Sequence, residues 1–316
     1  MISDTLQEKI NDSYEVLKLA AKMSLLYYQK PLILTYSGGK DSDVMLQLAI
    51  ECLQPDEFEV LNCHTSVDAP ETVWYIRDKF KELNAMGIKA GVQIPRYKDG
   101  RQKTMWNSID SKSMPPTRLV RYCCAELKEA FTPNRFIAVG VRESESTGRK
   151  GRDLFAIKTN SKKDAQFYDF THVRDVFTDA ERERERAKPN DYSVYDCKFI
   201  ENAKKKKDLL CNPIYKWTDA DVWDFIKDRG LKYNPLYDKG YKRVGCVGCP
   251  MSTRKAQKLN DFPRFKQNYI KSFDRMLKNN KGKIRKWKTA EEVYLWWIED
   301  DNIPGQLTLD GTEYKG

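Results

Sequence analysis

Two groups of residues in this chain have the types and spacing for chemistry. The first is Ser37-Gly38-Gly39-Lys40-Asp41-Ser42, preceded by the apolar run Pro31-Leu32-Ile33-Leu34-Thr35 and followed by Val44-Met45-Leu46-Gln47-Leu48-Ala49-Ile50. A strand, a tight glycine turn and a helix start make a cradle for phosphate: the glycines let backbone approach an anion, and the new helix offers unpaired N–H groups. Lys40 adds positive charge, and Ser37 and Ser42 add hydroxyl donors. The second group is thiols: vicinal Cys123 and Cys124, and the C-x-x-C of Cys246 and Cys249. Four thiolates can hold zinc or a [4Fe–4S] cluster.

The elements that position these groups follow from periodicity. Residues 4–29 read as an amphipathic helix with Leu6, Ile10, Tyr14, Leu17 and Ala20 on one stripe. Strands are expected at Leu32–Thr35, Phe58–Cys63, Ala90–Ile94, Arg135–Gly140 and Leu209–Tyr215, with helices between them. One such helix opens at Pro70, with Val73, Ile76, Phe80 and Leu83 on its buried side, and another runs from Arg118 to Phe131. Thr218 and Asp221 frame a further helix as an approximate capping box. This alternation predicts an α/β fold with a doubly wound, mainly parallel five-stranded sheet and helical N- and C-terminal additions. The polar segment His64–Asp68, with Thr65 and Asp68, lies just past a strand's carboxyl end, where such sheets bind ligands. The domain reading is a helix at 1–29, a nucleotide-binding domain at 30–251 with a charged insertion at 144–208, and a helical region at 252–316. A helix is expected at 178–188 within the insertion. Aromatics such as Tyr269, Phe273 and Trp297 read as core.

Composition narrows the class. The net charge is +10, clustered at Arg142–Arg152, Lys204–Lys207 and Lys278–Lys288, which suits nucleotides or nucleic acid as partners. No apolar run approaches the ~20 residues of a membrane span. Residues 1–5 lack signal-peptide character, so a cytoplasmic protein is expected. With His64 and His172 the only histidines, no histidine-based catalytic constellation is visible.

The ordered set resembles the phosphoadenosine phosphosulfate (PAPS) reductase family of PP-loop, adenine-nucleotide α-hydrolase proteins. The resemblance is carried by Ser37–Ser42, Arg121-Tyr122-Cys123-Cys124-Ala125-Glu126-Leu127-Lys128, Gly140-Val141-Arg142-Glu143-Ser144 with Arg149, Asn212-Pro213-Ile214-Tyr215-Lys216-Trp217-Thr218, and Asn234-Pro235-Leu236-Tyr237 through Cys249. It implies an adenine nucleotide (ATP, or the sulfonucleotides APS or PAPS) bound by Ser37, Gly38, Gly39, Lys40, Asp41, Ser42, Thr65, Asp68, Gly140, Arg142 and Arg149. Lys40, Asp41 and Arg142 are the candidate catalytic residues, and Mg²⁺ joins them if the nucleotide is ATP. The Cys-Cys and C-x-x-C pattern implies a [4Fe–4S] cluster, with zinc as the alternative.

One departure redirects the reaction. The sulfonucleotide reductases of the family use a cysteine in a C-terminal tail, and no cysteine follows Cys249 here. Cys197 is a substitute thiol, or the chain resembles the DndC-type sulfur-insertion enzymes, which cleave ATP to AMP and pyrophosphate. The expectation is therefore ATP cleavage in sulfur transfer, with a sulfur-donor or electron-donor protein as a partner. The alternatives are sulfite-releasing APS or PAPS reduction and, in a different class, a nucleotide-sensing protein that binds nucleic acid without turnover.

Overall fold

The computed structural model describes residues 3–129, 134–145, 154–157, 167–168 and 208–299. Helix α1 (Asp4–Met23) is capped by Ser3, whose hydroxyl accepts the Leu6 N–H, and continues as a wider turn through Tyr28. Then come β1 (Leu32–Thr35), α2 (Lys40–Cys52), β2 (Phe58–Cys63), α3 (Pro70–Ala85) and β3 (Ala90–Gln93). They are followed by α4 (Met105–Lys112), the single-turn α5 (Tyr122–Cys124), β4 (Phe136–Ala138), β5 (Phe155–Ile157), β6 (Phe167–Tyr168) and β7 (Leu209–Cys211). The last helices are α6 (Asp219–Asp228), α7 (Lys255–Asp261), α8 (Pro263–Asn279) and α9 (Ala290–Ile298). Among the described residues no helix is long and apolar enough to cross a membrane.

The sheet runs β3-β2-β1-β4-β7-β5-β6. β1 is parallel to β2 and β4, and β4 is parallel to β7. The N–H of Val60 donates to Lys89 and that of His64 to Gln93, advancing together along both chains as parallel neighbours do. All five expected strands are therefore present. Two further strands, β5 and β6, extend the sheet to seven; β5 is antiparallel to both β7 and β6. They arise within the segment expected to be only a charged insertion. Phe155, Ala156 and Ile157 are buried, a run too short to register against its charged flanks. The helix expected at 178–188, along with Cys197, His172 and Lys204–Lys207, lies outside the described residues.

The chain forms two compact units, each built from three segments. The first unit comprises Met1–Asn62, Glu71–Val92 and Thr132–Val244. Its core joins Leu6, Ile10 and Leu17 of α1 to Leu34, Val44, Leu48, Phe136, Trp217 and Phe225. Helix α1 packs its apolar stripe into this core: Trp217 Nε1 donates to Ser13 Oγ at 3.1 Å, and Lys9 pairs with Asp221 at 2.6 Å. The buried side of α3 is Thr72, Ile76, Phe80 and Leu83, while Val73, expected inside, is exposed because the inward stripe begins one residue earlier.

The second unit comprises Cys63–Pro70, Gln93–Phe131 and Gly245–Gly316. Its centre is aromatic, as expected for core residues: the ring centroids of Tyr269 and Trp297 lie 4.5 Å apart and those of Phe273 and Trp297 5.5 Å apart. The helix expected from Arg118 begins only at Tyr122, since Thr117–Arg121 form a turn closed by the Val120 N–H on Thr117 Oγ1 at 3.0 Å.

Candidate functional site

In the first unit β1 hands the chain to the loop Tyr36–Gly39, and α2 starts at Lys40. Gly38 has φ +71°, a left-handed conformation that suits glycine. A Cβ there would come within 2.9 Å of Ile76 and 3.2 Å of Thr72. Asn234 fixes this turn by donating to the Gly38 carbonyl at 2.9 Å and to Thr72 Oγ1 at 3.1 Å. The Gly39 carbonyl accepts the N–H groups of Ser42 and Asp43 and the Ser42 hydroxyl, the last at 2.7 Å. Tyr237 lies over the turn, its hydroxyl accepting the Lys40 N–H at 2.9 Å. Gly140, at the exit of β4, faces the start of α2: a Cβ there would lie 3.2 Å from the Asp41 carbonyl oxygen.

Four charged side chains meet beside the loop. Arg142 donates from Nε to Asp41 at 2.7 Å, from Nη2 to Asp219 at 2.9 Å and from Nη1 to Ser144 at 3.1 Å. Lys40 Nζ stands 2.7 Å from the same Asp219 oxygen and 3.6 Å from Asp41. The cationic side chains are buried, at 5% exposure for Lys40 and 4% for Arg142, whereas Asp219 is 64% exposed. Desolvation works to raise the Asp219 pKa, but the hydrogen bonds and charges of Lys40 and Arg142 hold it below the ordinary carboxylate range. Two preformed cations thus share one solvent-facing counter-ion, an arrangement suited to exchanging a carboxylate for phosphate oxygens.

Behind the loop lies a buried acid. Asp43 Oδ1 contacts the hydroxyls of Tyr36 at 2.5 Å and Tyr75 at 3.0 Å, and Tyr75 also reaches the Lys232 carbonyl at 2.8 Å. Two tyrosine protons cannot serve three such contacts, because the Lys232 carbonyl only accepts. A proton on Asp43 would supply the third. Burial likewise pushes this carboxyl up to about 7, against the two tyrosine hydroxyls and Lys79, which favour the anion.

The four cysteines fall in the second unit. Their loop at 246–249 is held tightly: the Val247 N–H donates to Val67 at 2.7 Å, Tyr269 donates to the Val247 carbonyl at 2.9 Å, and Gly248 (φ +72°) would place a Cβ 2.8 Å from both Trp297 and Tyr269. The Cys123 thiol is pushed up by its hydrogen bond with Cys124, then by burial and by the charges of Cys124, Cys246 and Cys249. Burial pushes Cys246 up to about 11 despite the opposing charge of Lys128. The Lys128 ammonium is stabilised by Cys246 above all, overcoming desolvation, with help from Asp68, Cys124 and Cys249. Cys124, Cys246 and Cys249 all act on Cys123, so the four thiols lie near one another, and deprotonated they make a soft sulfur donor set of the kind an iron–sulfur core takes. Among the described residues no group of three or more His, Cys, Asp or Glu is arranged for a single metal ion.

Ser37, Gly38, Gly39, Lys40, Asp41, Ser42, Gly140 and Arg142 therefore come together in one unit. Thr65 and Asp68, expected at the nucleotide, belong to the other unit, where Thr65 donates to Asp68 at 2.7 Å and both lie within 3.8 Å of Cys246 Sγ. Arg149 lies outside the described residues. Sequence reasoning missed Asp219, Tyr237, Asn234 and Asp43 as site residues. The signal for the first three lies in Thr218-Asp219 and in Asn234-Pro235-Leu236-Tyr237, segments that carry the family resemblance or a helix start without naming a ligand.

Residues 31–252 match the phosphoadenosine phosphosulfate reductase domain family, and the chain belongs to that family. Its relatives include an adenosine 5'-phosphosulfate reductase of Staphylococcus epidermidis, 37% identical over 247 residues, covering 77% of this chain and 79% of the relative. An uncharacterized protein of Methanocaldococcus jannaschii is 23% identical over 280 residues, covering 86% of this chain and 45% of that protein. The chain thus spans just under half the length of the first curated relatives it matches. Among solved structures, the phosphate complex of the PAPS reductase from Candida auris aligns with 78% of this chain and 96% of its own at 14% identity and a TM-score of 0.41.

Proposed function

We propose that this protein binds ATP at the Ser37–Ser42 loop and cleaves it to AMP and pyrophosphate in a sulfur-transfer reaction. The observation that carries the reading is the shared counter-ion: Lys40 and Arg142 are buried cations, and the Asp219 that bridges them is exposed and free to yield to phosphate. Asp41 then keeps Arg142 oriented through Nε. An acceptor oxygen attacks the α-phosphorus, the α–β bond breaks, and pyrophosphate leaves with the bonding pair. Lys40 and Arg142 neutralise the charge that builds on the phosphate oxygens, and Mg²⁺ accompanies ATP to the loop. The terminal sulfur of a donor-protein persulfide then attacks the activated centre and displaces AMP, forming a donor–S–S–acceptor disulfide. A second thiol of the donor attacks the donor-side sulfur, so that a donor disulfide forms, the bond to the acceptor's sulfur breaks, and sulfur stays in place of oxygen.

Cys123, Cys124, Cys246 and Cys249 would hold a [4Fe–4S] cluster, which when bound supplies a redox-active, polarising centre. Asp68 and Thr65 would orient Cys246, and Lys128 would balance the thiolate charge.

A second reading is sulfonucleotide reduction with sulfite release, favoured by the 37% identity to the staphylococcal reductase. The deciding experiment measures pyrophosphate release from ATP beside sulfite release from APS and PAPS with thioredoxin, using anaerobically prepared protein. Pyrophosphate with AMP supports the proposal. Sulfite release alone replaces it with the second reading, and nucleotide binding without either product makes the protein a sensor. A Lys40→Ala variant that kept full ATP turnover would remove the loop from the mechanism.

A further inference from the structure

The chain's positive surplus is concentrated. From Arg264 to Lys288 there are ten basic residues and one acidic residue, against a net charge of +10 for all 316 residues. Helix α8 explains how one segment carries both core and charge: Tyr269, Ser272, Phe273 and Met276 face inward, leaving Lys271 and Lys278 on the outer side. The chain then turns at Gly282 (φ +85°) and returns through Lys283–Lys288 to α9. Between these limbs lies a cleft of about 590 Å³ whose walls include Lys271, Lys278, Lys281, Lys288, Asp274 and Glu291.

The carboxylates of this region are largely engaged. Asp274 pairs with Lys278 at 2.7 Å, and Glu292 accepts the Lys288 backbone N–H at 2.6 Å. Glu291 remains on the wall, opposed by Lys271, Lys281 and Lys288, none of which has a carboxylate within ion-pair distance among the described residues. Beside them, Trp287 and Trp296 pack with ring centroids 4.8 Å apart at 55°, both half-buried. Lys286 Nζ lies 4.1 Å from the Trp296 centroid and 5.1 Å from that of Trp287.

We propose that this lysine-lined cleft and the adjoining Trp287–Trp296 pair bind single-stranded nucleic acid. Lysines spaced along a groove track a phosphate backbone, and indole faces stack on bases that are free of a duplex partner. The alternation of charge and ring in Arg285-Lys286-Trp287-Lys288 places both contacts on one short stretch. A membrane surface is disfavoured by shape: a concave, lysine-walled cleft cannot press an apolar face into lipid. The inference stands independently of the reaction at the Ser37–Ser42 loop.

The test uses the full chain with fluorescein-labelled 20-nucleotide oligo(U) and oligo(dT), followed by anisotropy and tryptophan fluorescence. Binding to one or both is expected, with quenched tryptophan emission and a log–log salt slope of about −3 for some four phosphate contacts. The triple variant Lys271→Ala, Lys281→Ala, Lys288→Ala should weaken binding at least tenfold and flatten the slope by about 2. Trp287→Phe, which keeps a ring in place, should bind more strongly than Trp287→Ala, whose fold is checked by circular dichroism. Comparing the oligomers tells RNA from DNA. The proposal is overturned if the triple variant binds as wild type does. It is equally overturned if duplex of the same length, polyglutamate, or vesicles of phosphatidylcholine with 30 mol% phosphatidylserine bind as tightly as the single strands.

Discussion

The Asp219 carboxylate stands 2.7 Å from Lys40 Nζ and 2.9 Å from Arg142 Nη2, although 179 residues separate Asp219 from Lys40 in the chain. Asp219 is the first residue of α6, held by the Thr218–Asp221 capping box, and is the most exposed of the four charges that meet beside the loop. In the proposed function it is the group that an incoming phosphate displaces.

Replacing Asp219 by Ala should therefore tighten the binding of pyrophosphate and AMP roughly three- to tenfold, equivalent to about 1 kcal/mol per removed competitor. Isothermal titration with each ligand checks this. Unchanged or weaker affinity would show that Asp219 supports the ligand and does not compete with it.

Arg142 uses Nε, Nη1 and Nη2 on three different partners, a fan that a lysine ammonium cannot reproduce. Arg142→Lys should lower nucleotide affinity at least tenfold and lower stability by about 1–3 kcal/mol, because Asp41 and Ser144 lose their donors. Denaturant titration and nucleotide binding read the two effects separately.

Gly38→Ala and Gly140→Ala test the two close approaches. At Gly38 a methyl meets Ile76 at 2.9 Å with φ at +71°; at Gly140 it meets the Asp41 carbonyl oxygen at 3.2 Å with no such backbone strain. Both should reduce nucleotide binding, and Gly38→Ala should also cost stability of about 1–3 kcal/mol, the larger loss of the two. Equal stability for both variants would argue against the left-handed turn as the source of the difference.

Asp43 gives stability a pH dependence of defined sign. Its carboxyl titrates near 3.8 when unfolded and at about 7 when folded, so the folded state holds the proton more tightly. The contribution is complete below pH ~4 and disappears as pH rises through ~7, up to an order of 4 kcal/mol. Unfolding free energies measured between pH 4 and 8 should show a decline that is flattened in Asp43→Asn. An identical profile in the variant would assign the decline to other groups.

Anaerobic purification should yield roughly four irons and four sulfides per chain, with a broad absorption that bleaches in air. Cys246→Ser should lose most of the iron. Stoichiometric zinc without sulfide would identify a different metal at the same thiols.

The loop was legible because two glycines between an apolar strand and an apolar helix leave few other readings, and the strands at 32–35 and 58–63 announced themselves as apolar, β-rich runs between turn residues. Asp219 was not legible, since nothing local says which distant cations a helix-start carboxylate will meet. Asp43 was not legible for another reason. An acid in the first turn of a helix normally answers the dipole in water. Here Tyr36 and Tyr75 enclose it, and only the tertiary packing brings Tyr75 within reach. Strands β5 and β6 were hidden because pairing, of β5 with β7 and of β6 with β5, and not local pattern, makes them strands.

The position of β7 has a consequence for biosynthesis. It lies between β4 and β5 in the sheet but is the last of the seven strands in the chain. At 5–20 residues per second a ribosome needs roughly 4–14 seconds to travel from β4 to β7. During that interval β4 offers an open edge and β5 lacks its neighbour. The nascent chain must therefore wait with half its sheet unzipped, and Leu209-Leu210-Cys211 closes it like the final stave of a cask.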